Sequence, residues 1–151
     1  MIDSNFKEGC VLIVGGSGGI GSLCAQEFAK QIRGFSGNII NLGAACGIQG
    51  RLNGSNFCSA KGGILALTKC MARELAPLIR VNCLTPSAVD TEEVRERYNL
   101  DNPIKLKNLL DGIPMQRLGK HNDVTNMVDC ILSAKFTTGE NFFVNGGEFM
   151  H

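Results

Sequence analysis

The chain has 151 residues and a formal net charge of +1, with 44% apolar and 19% charged residues. This length suits one ordinary domain with a real core and is too short for two, so we predict a single domain over residues 1–151. The balanced charge argues against nucleic acid or a membrane surface as a partner. No apolar run approaches the length of a membrane span.

The seven cysteines include no Cys-x-x-Cys pair, and most of them sit in apolar runs. This pattern is typical of reduced thiols that serve as small core residues, and it argues against disulfides or zinc. The N-terminal sequence Met1-Ile2-Asp3-Ser4 lacks the regions of a signal peptide. We therefore expect a cytoplasmic protein.

The first predicted element is a short apolar run, residues 10–14, which reads as a buried strand of a parallel sheet. A glycine-rich turn over 15–21 and a helical pattern over 22–30 follow. Strand, glycine turn and helix form the first half of a dinucleotide-binding unit, because such a turn brings backbone amides to a pyrophosphate. A tight turn without a ligand is the alternative.

A dinucleotide site usually also needs a carboxylate about 20 residues after the turn, to hold the adenosine ribose. The corresponding window, around Asn41, contains no acid. Arg33 could accept a 2′-phosphate there, or it could be an ordinary surface residue. Residues 28–73 carry only basic charges, which indicates either a solvated basic surface or a site for phosphate groups.

The middle of the chain predicts a second buried strand over 38–42, a loop of small residues over 44–55, and a helix over 56–75 that Pro77 ends. At the start of this helix, Lys61 follows Phe57 by four residues, so both side chains share one helix face. An aromatic ring beside an ammonium resembles half of a proton-transfer site, but Phe57 has no proton to give.

The remaining elements are a third strand over 79–84 broken by Pro86, a short helix and mobile loop over 90–108, and a second short helix over 104–110. Asn122 or Asp123 could cap a further helix that ends near Ser133, and 141–144 is a last short strand. Together these elements predict an α/β fold with a reduced Rossmann-like parallel sheet of about four strands and flanking helices.

The pieces resemble a short-chain dehydrogenase/reductase of the 3-oxoacyl-[acyl carrier protein] reductase type. Residues 14–21 match the family's Thr-Gly-x-x-x-Gly-x-Gly motif with Val in place of Thr. Phe57 and Lys61 stand where the family has Tyr-x-x-x-Lys, and Ala44 stands at its catalytic Ser. Residues 82–87 resemble its Asn-x-x-x-Pro-Gly turn, and 138–147 contain its C-terminal signature.

The resemblance implies hydride transfer between NADP or NAD and a small carbonyl or alcohol substrate. It implies cofactor contacts at the following positions: Gly15, Ser17, Gly19, Ile20, Gly21, Lys61, Pro86 and Thr91. It also implies that the catalytic positions are Lys61, Phe57 and Ala44.

The substituted positions predict a pseudoenzyme with weak or no catalysis. Phe57 cannot act as an acid or base, Ala44 cannot hydrogen-bond a substrate, and a positioned proton donor is worth about 10² to 10⁴ in rate. Lys61 could bind a ribose hydroxyl or a phosphate, or it could cap a loop. Tyr98, the only phenol, could rescue the chemistry or be a surface residue, and we expect His121 and His151 at the surface.

Compared with the family pattern, the chain has an internal deletion between about residues 31 and 37, where three strands and their helices are missing. A right-handed crossover across this gap would move the first helix to the other face of the sheet. We therefore expect a rearranged first helix or a sheet edge stabilised by a partner chain. Two alternatives remain: a non-enzymatic partner in a homo-oligomer or in a hetero-oligomer with a related chain, or an active NAD(P)-dependent reductase represented only in part.

Overall fold

The computed structural model describes residues 9–13 and 37–150. Their elements, in chain order, are β1 Gly9–Ile13, β2 Gly37–Leu42, α1 Cys46–Gln49, α2 Ser55–Leu75, β3 Ile79–Pro86, α3 Glu92–Tyr98, α4 Pro103–Asp111, α5 His121–Ser133 and β4 Asn141–Val144. Several sequence predictions lie outside the described residues: the helix over 22–30, the gap before residue 37, and Gly15, Ser17, Gly19, Ile20, Gly21, Arg33 and His151.

The four strands form one sheet in the order β1-β2-β3-β4, and every neighbouring pair is parallel. Val11 pairs with Ile39, which in turn pairs with Val81, and Cys83 pairs with Asn141. The predicted α/β fold with a parallel sheet of about four strands is confirmed. Within the described residues, β1 lies directly beside β2.

Two apolar clusters cover the two faces of the sheet, because successive side chains of a strand point to opposite sides. On one face, Ile39 and Val81 pack against Met71 of α2. On the other face, Ile40 and Leu84 pack against Ile131 of α5. The described part of the chain is therefore a sheet with one helix layer on each side.

The two crossovers that carry these helices have opposite hands. β2 to β3 and β3 to β4 step in the same direction across the sheet, yet α2 and α5 pack on opposite faces. Parallel crossovers are right-handed in nearly all proteins, so one of these two departs from the rule. As a consequence, the loops after β2 and β3 diverge at the carboxyl edge of the sheet, which is where ligands bind in open α/β folds.

The stretch 44–55, predicted as a loop, contains the single helical turn α1. A contact between two glycines explains it: a Cβ built on Gly47 would lie 2.7 Å from the backbone nitrogen of Gly62 in α2. Tertiary contact, and not apolar periodicity, therefore holds this turn. The third strand runs two residues past the predicted bound of 84 and ends at Pro86, which pairs with Val144.

The charged segment after β3 forms two helices where the sequence predicted a short helix, a loop and a second short helix. Thr91 caps α3 by accepting a hydrogen bond from the Val94 amide at 3.3 Å, and Asn102 caps α4 in the same way. α5 begins at His121, which is exposed as predicted. Asp123 stabilises its start by accepting a hydrogen bond from the Lys120 amide at 2.7 Å.

The cysteines differ from the prediction that most are core residues. Of the five whose side chains are described, Cys83 alone is buried, while Cys70 and Cys130 are exposed and Cys46 and Cys58 are half-buried. Cys70 and Cys130 each directly precede a buried residue, Met71 and Ile131, but are themselves exposed. Within the described residues, no helix is both long enough and apolar enough to cross a membrane.

Candidate active site

The end of β2 brings Ala44 to the carboxyl edge of the sheet. Gly43 follows the strand and its amide donates to the Leu84 carbonyl at 2.9 Å. A Cβ at this position would lie 2.5 Å from Thr85 Oγ1 and 2.7 Å from Cys83 Sγ, so only glycine allows this close approach to β3. The half-buried Ala44 comes next and presents a methyl group where the family has a hydroxyl.

Phe57 lies in the first turn of α2, and two cations lie close to its ring. Its exposed fraction is 38%. The Arg51 guanidinium carbon is 4.8 Å from the ring centroid and Lys61 Nζ is 5.7 Å from it, and both distances allow cation–π attraction. The ring–ammonium pair predicted from the spacing is present. Arg51 also contacts this ring, although the sequence indicates it only as one of the charges of the basic stretch 28–73.

Lys61 connects this helix start to the end of β2. Its Nζ donates to the Leu42 carbonyl at 2.7 Å, two residues before Ala44. The structure therefore shows the loop-capping contact that was one of the two interpretations of Lys61. Because an ammonium has three N–H donors, two remain that could reach the hydroxyls of a ribose.

Pro86 and Thr91 lie after the neighbouring strand, on the other side of the diverging loops. Pro86 closes β3, and Thr91 precedes α3. The Thr91 oxygen accepts the Val94 amide, so its hydroxyl hydrogen can still be donated. Asp90 beside it pairs with Arg95, and this contact holds the pKa of the Asp90 carboxyl below its ordinary value.

A cavity of about 380 Å³ opens elsewhere, at the carboxyl ends of β3 and β4 on the α5 side. Ser87, Met127, Phe143 and Asn145 are among its lining residues. None of the described residues predicted for catalysis or cofactor binding lines it, so the cavity and the Phe57–Lys61 pair are separate places. Tyr98, the possible rescuing phenol, is 43% exposed on α3, which agrees with a surface role.

Two thiols near Phe57 were missed by sequence reasoning, which had treated them as core residues. Cys46 opens α1, and Cys58 directly follows Phe57. Burial and then the adjacent Cys58 thiol raise the pKa of Cys46, while Arg51 opposes the shift. Their position between Ala44 and Lys61 was the only sign of a special location in the sequence.

Comparison with known proteins places this geometry in a family. A family model described as enoyl-(acyl carrier protein) reductase matches residues 18–148. The 3-oxoacyl-[acyl-carrier-protein] reductase of Staphylococcus epidermidis is 36% identical over 131 residues, which are 84% of this chain and 52% of that protein. The chain belongs to the short-chain dehydrogenase/reductase family.

Further similarities have the same character. The L-xylulose reductase of Mesocricetus auratus is 41% identical over 121 residues, 76% of this chain and 48% of that protein. A solved structure from Agrobacterium tumefaciens, described as a 2-deoxy-d-gluconate 3-dehydrogenase with bound NADP, superposes with a TM-score of 0.76 at 28% identity. The superposition covers 85% of this chain and 54% of the chain in that structure. The chain thus spans about half the length of the curated relatives it matches.

Membership of the short-chain dehydrogenase/reductase family implies use of NAD(P), and the described residues fit one end of that cofactor. The remaining donors of Lys61 suit the neutral hydroxyls of a ribose, and the Thr91 hydroxyl can still donate a hydrogen bond. The window for the adenosine ribose offers nothing comparable, because Asn41 is buried and its amide donates to Thr68 Oγ1 at 2.9 Å. The glycine turn that would meet the pyrophosphate lies outside the described residues.

Proposed function

We propose that this short-chain dehydrogenase/reductase homologue binds the nicotinamide end of NADP or NAD and reduces carbonyl substrates weakly or not at all. The carrying observation is the Phe57 ring beside Lys61 and Arg51, with Ala44 at the end of β2. The helix start and its ammonium are retained, but both side chains that would handle the substrate oxygen are hydrocarbon.

The chain's own residues define what this site can do. The nicotinamide, when bound, supplies hydride chemistry. Lys61, fixed by the Leu42 carbonyl, can hold a ribose hydroxyl with its remaining donors. Phe57 can move no proton and Ala44 can donate no hydrogen bond to a carbonyl oxygen. The cations beside the Phe57 ring would stabilise a developing alkoxide, but positions 57 and 44 supply neither a positioned proton nor a hydrogen bond to it.

The decisive experiment restores the missing groups. The double variant Phe57→Tyr with Ala44→Ser should raise the rate of NADPH- or NADH-dependent reduction of an acetoacetyl substrate by about 10² to 10⁴. Two cations would lie beside the new phenol and lower its pKa from about 10, which favours proton transfer near neutral pH. Absorbance of the reduced nicotinamide measures the rate.

Matched controls separate chemistry from binding. Phe57→Leu with Ala44→Ser should stay at the wild-type rate, and adding Lys61→Ala to the restored variant should remove the gain. Wild-type turnover equal to that of an ordinary reductase contradicts the proposal. If the restored variant gains nothing, titration of NADPH against the protein distinguishes a lost cofactor site from a misplaced one.

A second candidate is an active NAD(P)-dependent reductase of which this chain is a part, favoured by its coverage of about half of its relatives. The intact mass of the protein isolated from its source tests this. A mass well above the 16.2 kDa of this chain supports the longer protein. A mass equal to it, together with absent turnover, favours the pseudoenzyme.

A third candidate is a non-enzymatic partner, assembling with a second copy or a related chain. The observation behind it is a face of α2 on which Ser59, Gly63, Ala66 and Cys70 are all exposed, since small side chains let another helix approach closely. Light scattering should then give the mass of a dimer or tetramer, and Gly63→Arg should give a monomer. A monomeric wild type that binds no related chain contradicts it.

Unpaired thiols on the same helix fit the cytoplasmic location that we propose.

A further inference from the structure

The helices α1 and α2 approach each other backbone to backbone at Gly47 and Gly62. A Cβ on Gly47 would lie 2.7 Å from the backbone nitrogen of Gly62, and one on Gly62 would lie 3.1 Å from the Gly47 carbonyl. Cys46 directly precedes Gly47, and Cys58 lies one helical turn before Gly62. The closest approach of the two helices therefore brings these two thiols to the same junction.

The surroundings of the two thiols suit reversible chemistry. Both side chains are half-buried, so a small reagent can reach them, and both are free thiols. Burial raises the pKa of the Cys46 thiol, and the neighbouring Cys58 thiol adds to that rise. The Arg51 guanidinium lies close enough to oppose part of it, so Arg51 lies near the same junction.

We propose that Cys46 and Cys58 form a reversible disulfide that ties α1 to α2 beside the substituted active-site positions. The inference does not depend on whether the chain binds a nucleotide or turns over a substrate. It identifies a modification site, and its reagent is a low-molecular-weight disulfide such as oxidised glutathione.

The reaction balances as two thiol–disulfide exchanges. The Cys58 thiolate attacks one sulfur of oxidised glutathione, whose S–S bond breaks and releases one glutathione thiolate that takes up a proton. The Cys46 thiol then loses its proton to solvent and attacks the Cys58 sulfur of the mixed disulfide. A second glutathione leaves. The two protein thiols are oxidised by two electrons and the glutathione disulfide is reduced to two thiols.

The bond would constrain the segment between the two cysteines, which carries Arg51. Closing a short loop of this kind stabilises mainly by restricting the unfolded chain. We expect the oxidised protein to unfold about 5 to 10 °C above the reduced protein. The same closure would hold Arg51 against the Phe57 ring.

Peptide mapping gives the direct test, because trypsin cuts between the two cysteines at Arg51. The full-length protein is equilibrated with oxidised glutathione, blocked with N-ethylmaleimide and digested without reductant. We expect the peptide 34–51 joined to the peptide 52–61, and we expect dithiothreitol to separate them. The higher unfolding temperature should vanish with the same treatment.

Variants and a denatured control make the outcome decisive. Cys46→Ser and Cys58→Ser should each abolish the joined peptide and the shift in unfolding temperature. Cys70→Ser, an exposed cysteine on the same helix, should change neither. Full alkylation of both cysteines at every ratio of oxidised to reduced glutathione overturns the proposal. So does a mixture of disulfides that is the same in native buffer and in urea.

Discussion

Two regions of the described fold differ in what their family-signature positions do. Around β3 and β4, polar side chains of the family signature are buried and satisfied. Asn82, which is 0% exposed, donates to the Thr137 carbonyl at 3.1 Å and accepts the Glu140 amide at 3.1 Å. Around β2 and α2, the corresponding signature positions carry Ala44 and a partly exposed Phe57, which offer no hydrogen bond from their side chains.

The comparison separates residues that are needed for folding from positions where no buried hydrogen bond depends on the side chain. Asn82 and Thr138 stabilise the fold, since the Thr138 hydroxyl accepts the Val81 amide at 2.9 Å and their loss would leave buried groups unpaired. Ala44 and Phe57 take part in no such buried hydrogen bond, because their side chains have no polar atom.

The largest expected effect is at the buried amide. Asn82→Ala should lower the free energy of unfolding by about 2 to 4 kcal/mol, because it leaves the Glu140 amide without its acceptor and opens a small cavity. Urea unfolding followed by circular dichroism measures it. Asn122→Ala, an exposed asparagine on α5, should change stability by less than about 0.5 kcal/mol. Equal losses of stability for Asn82→Ala and Asn122→Ala would contradict the stabilising role of the buried amide.

The next effect probes the frame of the candidate site. Gly47→Ala should cost about 1 to 3 kcal/mol, because the new Cβ would meet backbone of α2 at 2.7 Å. Gly63→Ala is the matched control on α2, where a Cβ meets nothing within 4 Å. It should stabilise by about 0.5 to 1 kcal/mol through helix propensity. Thermal unfolding of both variants checks the opposite signs, and a stabilised Gly47→Ala would contradict the described contact.

The smallest effect is electrostatic and depends on pH. Asp123 accepts the Lys120 amide and pairs with Arg117, and these contacts lower its pKa from 3.8 to about 2. A carboxyl with a depressed folded-state pKa stabilises above its unfolded pKa, and the contribution disappears as the pH falls toward 2. Asp123→Asn should therefore be less stable than wild type at pH 7.

The pH series supplies the control for that variant. The stability difference between wild type and Asp123→Asn should be constant above about pH 5 and should shrink between about pH 4 and 2. Asp129→Asn, an exposed carboxyl on the same helix, should show a smaller difference at pH 7. A difference for Asp123→Asn that does not depend on pH would mean that the cap acts through packing.

Much of the fold could be read from the sequence, because the strands and α2 carry strong apolar patterns. Residues 38–42 and 141–144 were assigned as strands, and the helix predicted from 56 begins at Ser55. α1 could not be predicted, because its four residues have no periodicity and depend on the Gly47–Gly62 contact. The exposure of Cys70 could not be predicted either, because composition does not show which side of a helix packs against the sheet.

The candidate site was predictable in its positions and not in its contacts. The spacing of Phe57 and Lys61 placed them together on one helix face. It could not indicate that Lys61 reaches the Leu42 carbonyl, or that Arg51 crosses the same ring, because both contacts join segments through the tertiary fold. The roles of the site residues stay predictions until the restored variant is measured.

The two ends of α5 are held by groups that respond differently to pH, so acid should unfold this helix from one end. Arg80 donates to the Ile131 and Leu132 carbonyls at the last turn and to the Thr137 carbonyl beyond it, each at 3.0 Å. A guanidinium keeps its charge at every pH a protein survives, whereas the first turn relies on the Asp123 carboxylate. Acid should therefore fray this helix from His121 while its last turn stays bound to Arg80. Amide hydrogen-exchange rates measured residue by residue should then rise first near His121.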